Sequence, residues 1–281
     1  MRRATISPMD RAAPNDPPVL VERDDAEAVT TVRLNRPDSR NALTLELKVA
    51  LRDALAQVAE DSSVRAVVLA STGPAFCVGQ DLREHAESLR GESSPGGSLS
   101  TVTEHYNPIA TSLAGMAKPV VASITGTTVG AGLGFVLACD LRVAAAGTRF
   151  ATAFSGIGFG GDSGLSATLA HCVGASRATE LLMLGDTFTA EQAHDWGIVR
   201  EVAADAEATE AAALALARRL AAGPTLAYAE IKRAVALGTV SPLATVLDHE
   251  AHAQVRLGAT QDHRDAVEAF LAKEKPVFHG R

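Results

Sequence analysis

Ala75-Phe76-Cys77-Val78-Gly79-Gln80-Asp81-Leu82 and Gly126-Thr127-Thr128-Val129-Gly130-Ala131-Gly132-Leu133-Gly134 are the two stretches that decide the fold. Each follows an apolar run that predicts a buried strand, at residues 64–70 and 120–124, and each then passes into a helical pattern. Such strand-to-helix turns leave main-chain N–H groups free near helix N-termini, where partial positive charge accumulates. Two of these donors converging on one carbonyl oxygen would form an oxyanion hole. The two turns therefore predict carbonyl chemistry.

Composition limits the class of protein. The chain has 281 residues, of which 47% are hydrophobic and only 4% aromatic, which predicts a core of Ala, Val and Leu in helices packed closely on a sheet. A net charge of −7 argues against a general nucleic-acid or anionic-membrane partner, although a local basic pocket for a phosphorylated ligand remains compatible with it. No run of about 18 apolar residues is present, so we expect a cytoplasmic protein without a membrane span.

The cysteines are sparse. Cys77, Cys139 and Cys172 lie in apolar segments, which is typical of reduced intracellular thiols and not of a disulfide framework. Cys77 lies in the first glycine turn, so a nucleophilic role has to be considered. Since its segment contains no histidine, a buried structural thiol is the favoured interpretation.

Strands and helices alternate along the chain before a helical end. Apolar alternation and buried runs predict strands at residues 19–22, 28–34, 64–70, 119–124 and 141–146. Helical spacing predicts a helix from an N-capping Thr44 to about residue 60, and another over residues 106–116. Residues 165–270 have an almost entirely helical pattern. The fold class is therefore α/β with a helical appendage.

Three regions follow from this pattern. Residues 1–18 contain four prolines and predict a disordered arm, residues 19–205 a β/α core, and residues 206–281 a helical C-terminal region. Residues 88–100 are rich in Ser and Gly and predict a flexible surface loop, which either covers a site or is an inert insertion.

Several common motifs are absent. In Gly130-Ala131-Gly132-Leu133-Gly134 the third glycine comes one residue too early for a dinucleotide fingerprint. The chain also lacks a G-x-S-x-G elbow and a phosphate-loop lysine. Its eight histidines show no metal-ligand spacing, so we expect no metal site.

The two turns belong to a larger set of motifs that resembles the enoyl-CoA hydratase/isomerase (crotonase) superfamily. The other members of the set are Leu34-Asn35-Arg36-Pro37, Asn41-Ala42-Leu43, Lys118-Pro119-Val120, Gly185-Asp186-Thr187-Phe188-Thr189-Ala190-Glu191-Gln192-Ala193, Trp196-Gly197-Ile198-Val199 and the ending from Phe270 to Lys273. They occur in order over residues 19–279. The resemblance implies a crotonase-like (ClpP/crotonase) spiral of β-β-α units with a helical C-terminal trimerisation region.

The resemblance also implies a substrate and a site. Family members bind acyl-CoA thioesters and hold an enolate between two backbone N–H groups, which would be those of Gln80 and Ala131 here. Coenzyme A is part of the substrate, so no separate cofactor is expected, and the protein would be a homotrimer or hexamer without nucleic-acid or membrane partners. Substrate and coenzyme A contacts would come from Arg36, Phe76, Cys77, Val78, Gly79, Leu82 and Phe154. Phe270 and Lys273 would approach the nucleotide, either within the same chain or from a neighbouring subunit.

The choice of reaction depends on the acidic residues. Family hydratases use two glutamates, and the matching positions here are Gly134 and Phe154, neither of which can move a proton. Asp162 stands where isomerases of the family place an acid. Burial beside Phe154, Phe159 and Leu165 would raise its pKa and make it a better base. The alternative role for Asp162 is the N-cap of the helix that starts near Leu165.

Alternative functions have to be weighed against the same residues. A dehalogenase of 4-chlorobenzoyl-CoA type would need a histidine and an indole where this chain has Asn107 and Phe154, so we rank it low. Glu84 and His85 are expected on a solvated helix face, with the wall of the acyl tunnel as the alternative. We favour an isomerase over a hydratase, hydrolase or lyase that recruits Glu84 or Glu87, and over an acyl-CoA-binding protein without catalysis. RNA binding is disfavoured, because the helices carry mixed charge.

Overall fold

The computed structural model describes residues 16–91 and 99–281. Most of the predicted N-terminal arm and the middle of the predicted loop therefore lie outside the described residues. Within the described ranges the strands are β1 (Val19–Asp24), β2 (Val29–Leu34), β3 (Ala66–Ser71), β4 (Ala75–Cys77), β5 (Val120–Ile124), β6 (Thr127–Val129), β7 (Leu141–Ala145), β8 (Arg149–Ala151), β9 (Phe188–Thr189) and β10 (Glu201–Ala203).

The helices follow the same order along the chain. They are α1 (Leu45–Glu60), α2 (Leu82–Gly91), α3 (Asn107–Gly115), α4 (Ala131–Ala138), α5 (Leu165–Leu184), α6 (Ala190–Asp195), α7 (Ala206–Ala221), α8 (Thr225–Gly238), α9 (Leu243–Gly258) and α10 (Gln261–Ala272), with a π-helical turn at Val102–Tyr106 before α3. None of the helices in these described ranges is both long and apolar enough to cross a membrane.

Two sheets organise the described chain. One has the order β1-β2-β3-β5-β7-β10 and the other the order β4-β6-β8-β9. All pairings are parallel except β1 with β2 and β8 with β9. The units β3-β4-α2, β5-β6-α4 and β7-β8-α5 each place one strand in each sheet before a helix. This repetition confirms the predicted spiral of β-β-α units.

Both faces of the larger sheet are covered. In β3, Val67 and Leu69 belong to a core cluster that also contains residues of α1, α3 and α4. The alternate residues Ala66, Val68 and Ala70 belong to a second cluster that includes Ala213, Ala217 and Ala221 of α7. Since successive strand residues point to opposite faces, a continuous apolar run such as β3 requires cover on both sides. The small alanines let α7 lie close to the sheet.

The predicted start of α1 is confirmed. Thr44 has an extended backbone, and its side chain accepts a hydrogen bond from the Leu47 N–H. This bond satisfies one of the free amides of the first turn. Leu47, Leu51, Leu55 and Val58 are buried along one face of the helix, as their spacing predicts.

Two predictions of local structure were wrong in part. Residues 88–91 continue helix α2 and are not loop, because Glu87, Ser88 and Leu89 extend its helical pattern to Gly91. The segment from residue 165 to residue 270 is interrupted by β9 and by β10, which pairs with β7 at the edge of the larger sheet. Strands of two or three residues are too short to show alternation, so tertiary pairing decides them.

Candidate active site

A cavity of about 560 Å³ lies between the two glycine turns, the segment containing Leu99 to Tyr106, and the segment containing Thr152 to Asp162. It is lined mainly by apolar side chains, with Gln80, His85, Thr101, Tyr106, Thr152 and Asp162 as its polar members. A larger groove of about 770 Å³ lies between α8, α9 and α10, but it contains neither glycine turn. The smaller cavity therefore holds the candidate chemistry.

Gln80 presents its main-chain N–H to this cavity because of how its neighbours are bonded. Leu43 donates its N–H to the Gly79 carbonyl, and Asp81 donates its N–H to the Leu43 carbonyl. In a parallel bridge the residue between those two bonded positions directs its own N–H to the other side. Gln80, which is that residue, lines the cavity.

Ala131 supplies the second amide. It is the first residue of α4, so its N–H has no acceptor within the helix. Gly130 precedes it with φ +58° and ψ −126°, a conformation that glycine adopts readily and a side chain does not. Ala131 itself has a negative φ, so its methyl group is tolerated. The α4 N-terminus adds partial positive charge at this point.

Glycine brings the two amides to the same wall. A Cβ added to Gly79 would lie 3.2 Å from the Val129 carbonyl oxygen and 3.8 Å from the Ala131 nitrogen. The two turns therefore touch backbone to backbone. This contact places the Gln80 and Ala131 amides beside each other, as an oxyanion hole requires.

The glycines of α4 are needed for close packing. A Cβ at Gly132 would lie 2.7 Å from the Cys77 Cβ and 2.8 Å from the Cys77 carbonyl oxygen. A Cβ at Gly134 would lie 2.6 Å from the Ser163 Cβ and 3.0 Å from the Ser163 carbonyl oxygen. Position 134 therefore has no room for a glutamate, because Ser163 occupies the space.

Asp162 is the one carboxylate among the lining residues, all of which belong to the described part of the chain. Burial raises the pKa of its carboxyl group, and a hydrogen bond from Ser163 opposes part of that rise. Ser163 Oγ donates to Asp162 Oδ1 at 2.8 Å, and Ser163 is itself buried with φ +53°. The expected direction of the pKa shift is therefore confirmed.

The N-cap interpretation of Asp162 is not supported. Gly164, with φ +75°, is the N-cap of α5, and no side chain caps this helix. Only the main-chain carbonyl of Asp162 takes part, by accepting from the Leu165 N–H at 2.9 Å. The carboxylate is therefore left free to face the cavity.

A buried polar cluster lies behind the Gln80 side of the cavity, and sequence reasoning missed it. Lys48 Nζ donates to Gln80 Oε1 at 3.2 Å and to Thr101 Oγ1 at 2.8 Å. The Tyr106 hydroxyl also donates to Gln80 Oε1. Thr101 Oγ1 continues the cluster to His105 Nδ1 at 3.2 Å. The Lys48 side chain is only 3% exposed, so its charge depends on these partners.

Burial sets the protonation tendencies of this cluster. It lowers the pKa of Lys48, while Glu84 and Asp81 act in the opposite direction. It raises the pKa of the Tyr106 phenol, to which the Asp162 charge also contributes. Tyr106 therefore remains a neutral hydroxyl donor at ordinary pH.

The chain is similar to known proteins over most of its length. The enoyl-CoA hydratase/isomerase family matches residues 24–281. A 1,2-epoxyphenylacetyl-CoA isomerase of Escherichia coli K12 is 37% identical over 255 residues, which cover 91% of this chain and 96% of that protein. This protein belongs to the enoyl-CoA hydratase/isomerase family.

Other relatives of this family member differ in their reactions. A 2,3-dehydroadipyl-CoA hydratase of Escherichia coli K12 is 31% identical over 255 residues, covering 91% of this chain and 96% of its own length. A crystal structure from Mycobacterium abscessus whose title carries the family's name is 48% identical, with a TM-score of 0.88, and covers 94% of this chain and 100% of that one. The fold is thus shared, while the reaction varies among relatives.

The structure brings together some of the predicted binding residues of this family member. Val78, Gly79, Leu82 and Phe154 line the cavity with Gln80, Ala131 and Asp162. Phe76 and Cys77 do not line it, and both are 0% exposed within the core. Burial raises the pKa of the Cys77 thiol to about 12, which disfavours a thiolate nucleophile.

The remaining predicted contacts lie outside the cavity of this single chain. Arg36 is half-buried and donates through Nη1 to the Ala42 carbonyl oxygen, with Asp81 Oδ2 at 3.5 Å. Phe270 is 80% exposed near the end of α10, and Lys273 follows that helix in the left-handed region. Their roles toward coenzyme A stay predictions.

The predictions for the neighbouring residues His85 and Glu84 have different outcomes. His85 lines the cavity and packs edge-on against Phe159 with ring centroids 6.1 Å apart, so the solvated-face interpretation was wrong for it. Glu84 does not line the cavity, because its carboxylate accepts the Leu45 N–H at 2.9 Å at the start of α1. Asn107 is exposed on α3 and is not among the lining residues.

Proposed function

We propose that this protein is an isomerase that moves the double bond of an enoyl-CoA thioester by proton transfer through Asp162. The observation that carries the proposal is a single half-buried carboxylate in a cavity whose other wall presents the two unpaired amides of Gln80 and Ala131. One proton carrier and one oxyanion hole are what an isomerisation needs.

The steps follow from these groups. The Asp162 carboxylate removes a proton from C2 of a 3-enoyl thioester, and the electron pair moves into the dienolate. The Gln80 and Ala131 N–H groups hold the negative oxygen. The protonated Asp162 then returns the proton to C4, and the double bond comes to lie between C2 and C3. No atom is gained or lost, so water has no part in the reaction.

The alternatives have less support within the site. A hydratase of the two-glutamate kind would need acids at Gly134 and Phe154, and Ser163 fills the space beside Gly134. Glu84 and Glu87, which a divergent hydratase would have to recruit, are not among the lining residues. Hydratases nevertheless occur among the relatives, so direct assay of both reactions is required.

The substitution Asp162→Asn tests the proposal. General acid–base catalysis contributes about 10²–10⁴ in rate, so we expect kcat for conversion of a 3-enoyl-CoA to its 2-enoyl isomer to fall by that factor. The Kd of a saturated acyl-CoA should change less than about twofold, because an amide replaces the carboxylate with the same shape. Asp195→Asn, on the exposed surface of α6, is the matched control and should keep full activity.

Three outcomes would contradict the proposal. Full isomerase activity in Asp162→Asn would remove Asp162 from the mechanism. Hydration of crotonyl-CoA by the wild type without isomerisation would favour the hydratase. Binding of a panel of acyl-CoAs without turnover would favour a non-catalytic binding protein.

We also propose that the active species is a homotrimer or a hexamer in the cytoplasm, with coenzyme A as part of the substrate and no separate cofactor. The exposure of Phe270 at 80% and Leu271 at 75% supports a neighbouring subunit that covers the end of α10. Sedimentation of the purified protein tests this, and a monomer at assay concentration would contradict it.

A further inference from the structure

The orientation of the Gln80 side-chain amide is fixed by chemistry. A lysine ammonium can only donate hydrogen bonds, so the amide atom 3.2 Å from Lys48 Nζ must be the oxygen Oε1. The Tyr106 hydroxyl donates to the same oxygen. The hydrogen bond from Lys48 therefore fixes the orientation of the Gln80 amide, with Oε1 toward Lys48 and Nε2 away from it. Without such a partner the oxygen and nitrogen of a glutamine amide are difficult to tell apart.

The other end of the amide is left without a partner. Oε1 uses both of its acceptor positions on Lys48 and Tyr106, while Nε2 carries two N–H donors. Across residues 16–91 and 99–281, Gln80 Nε2 makes no hydrogen bond, and the bonds of this side chain go to Oε1. Nε2 is not one of the fully buried side-chain atoms without a partner, and Gln80 and Tyr106 both line the cavity, so we place the free donors at its wall.

The surroundings of this donor make it selective. The lining of the cavity is mainly apolar, and Leu82, Val102 and Phe159 are among its members. The hydroxyl of Thr152 is already used, because it donates to the Leu181 carbonyl oxygen at 2.8 Å. A fixed donor in an apolar wall discriminates against ligands that cannot accept from it, since the N–H would then be buried unpaired.

We infer that the Gln80 side chain is a specificity-determining group that binds a second oxygen of the acyl group, in addition to the thioester carbonyl. The inference rests on the proposed acyl-CoA site. The preferred substrate class is therefore an oxygenated acyl-CoA, with an ether, epoxide, hydroxyl or carbonyl oxygen. Gln80 would also hold the thioester oxygen through its main-chain N–H. The distance between the two substrate oxygens is therefore limited by the length of the Gln80 side chain.

Binding of saturated thioesters tests this independently of catalysis. Hexanoyl-CoA is compared with its 3-oxa, 4-oxa and 5-oxa analogues, in which one ether oxygen replaces a methylene group, by calorimetric titration of the wild type and of Gln80→Met. Methionine keeps the length and the main-chain N–H but removes the donor. We expect the Kd of at least one ether to rise about tenfold, the factor of one lost hydrogen bond, and that of hexanoyl-CoA less than twofold.

Lys48→Met provides a second variant that leaves Gln80 in place. Tyr106 can donate or accept, so without Lys48 the amide is free to turn, and Nε2 faces the cavity only part of the time. The preference for the ether should therefore fall in Lys48→Met, but by no more than in Gln80→Met. This variant also keeps the test available if Gln80→Met does not fold.

The contradicting results are distinct from a failure of the proposed isomerase. Equal weakening of ether and hydrocarbon in Gln80→Met, or no weakening of either, would show a merely structural role and overturn the inference. Loss of the ether preference in His85→Leu but not in Gln80→Met would assign the second oxygen to His85. None of these thioesters reacts, so the outcomes do not depend on Asp162 as a base.

Discussion

At Gly132 in α4 an added Cβ would lie 2.7 Å from the Cys77 Cβ, whereas at Gly160, in the segment that carries Asp162, it would meet nothing within 4 Å. Gly126 resembles Gly132, with the Pro74 carbonyl oxygen 2.2 Å away, and Gly156 resembles Gly160. Glycine serves close backbone packing in the first region and leaves open space at positions 156 and 160 of the second. The turns that would hold the oxyanion are thus closely packed, while these two positions of the segment bearing the base have room for a side chain.

The largest expected effect is a difference in stability between an alanine substitution in the first region and one in the second. Gly132→Ala forces a methyl group against the backbone of β4, and we expect a loss of about 3 kcal/mol or more in the free energy of unfolding, at the upper end of overpacking costs. Gly160→Ala, the matched control, should change it by less than about 0.5 kcal/mol. Urea unfolding of both variants measures the difference. Equal losses would mean that the packing contrast is not real.

A smaller effect is expected from the open region. Phe159 lines the cavity but is 39% exposed, so Phe159→Ala should lower stability by less than about 1 kcal/mol and raise KM for a medium-chain acyl-CoA about fivefold. Met183→Ala removes a similarly large apolar side chain, 71% exposed and outside the cavity, and serves as the control. Steady-state kinetics over several chain lengths would check this. An unchanged KM at every chain length would exclude Phe159 from substrate binding.

The smallest effect concerns pH. Proton removal requires the ionised carboxylate of Asp162, so kcat/KM should rise with pH through the pKa of this group, which burial raises above its usual range. The Ser163 hydrogen bond lowers that pKa, so Ser163→Ala should move the acidic limb of the kcat/KM–pH profile to higher pH. Ser155→Ala, outside the lining residues, should leave the limb in place. A limb that stays or moves to lower pH in Ser163→Ala would contradict the assignment.

The strand-to-helix turns could be predicted from sequence because their signals are local. Each combines a short apolar strand, glycine and the beginning of a helix in a short stretch of sequence, and the structure places both at one cavity. Thr44 was recognised as a cap for the same reason, since its partner Leu47 is three residues away. Local hydrogen bonding and periodicity can therefore be predicted from a single sequence.

The features that could not be predicted depend on distant partners. Lys48 has the appearance of an exposed helix residue, and its burial depends on distant partners, among them Gln80 and Thr101, 32 and 53 residues further on. The short strand β10 exists because β7 offers a free edge, not because of its own pattern. The role of Gly134 was inferred as a missing acid, but the steric reason lies in Ser163. Long-range packing decides each of these cases.

The contact between Gly134 and Ser163 also constrains how this site can evolve. A hydratase-like pair of acids cannot be reached by changing position 134 first, since any side chain there would overlap Ser163. Glycine at position 163 would remove the 2.6 Å contact with the Ser163 Cβ, and its φ of +53° would accept that change readily, while the carbonyl oxygen of residue 163 would still lie 3.0 Å from the new Cβ. That step also removes the hydrogen bond from Ser163 to Asp162. Making room for an acid at position 134 therefore weakens the control of the existing base.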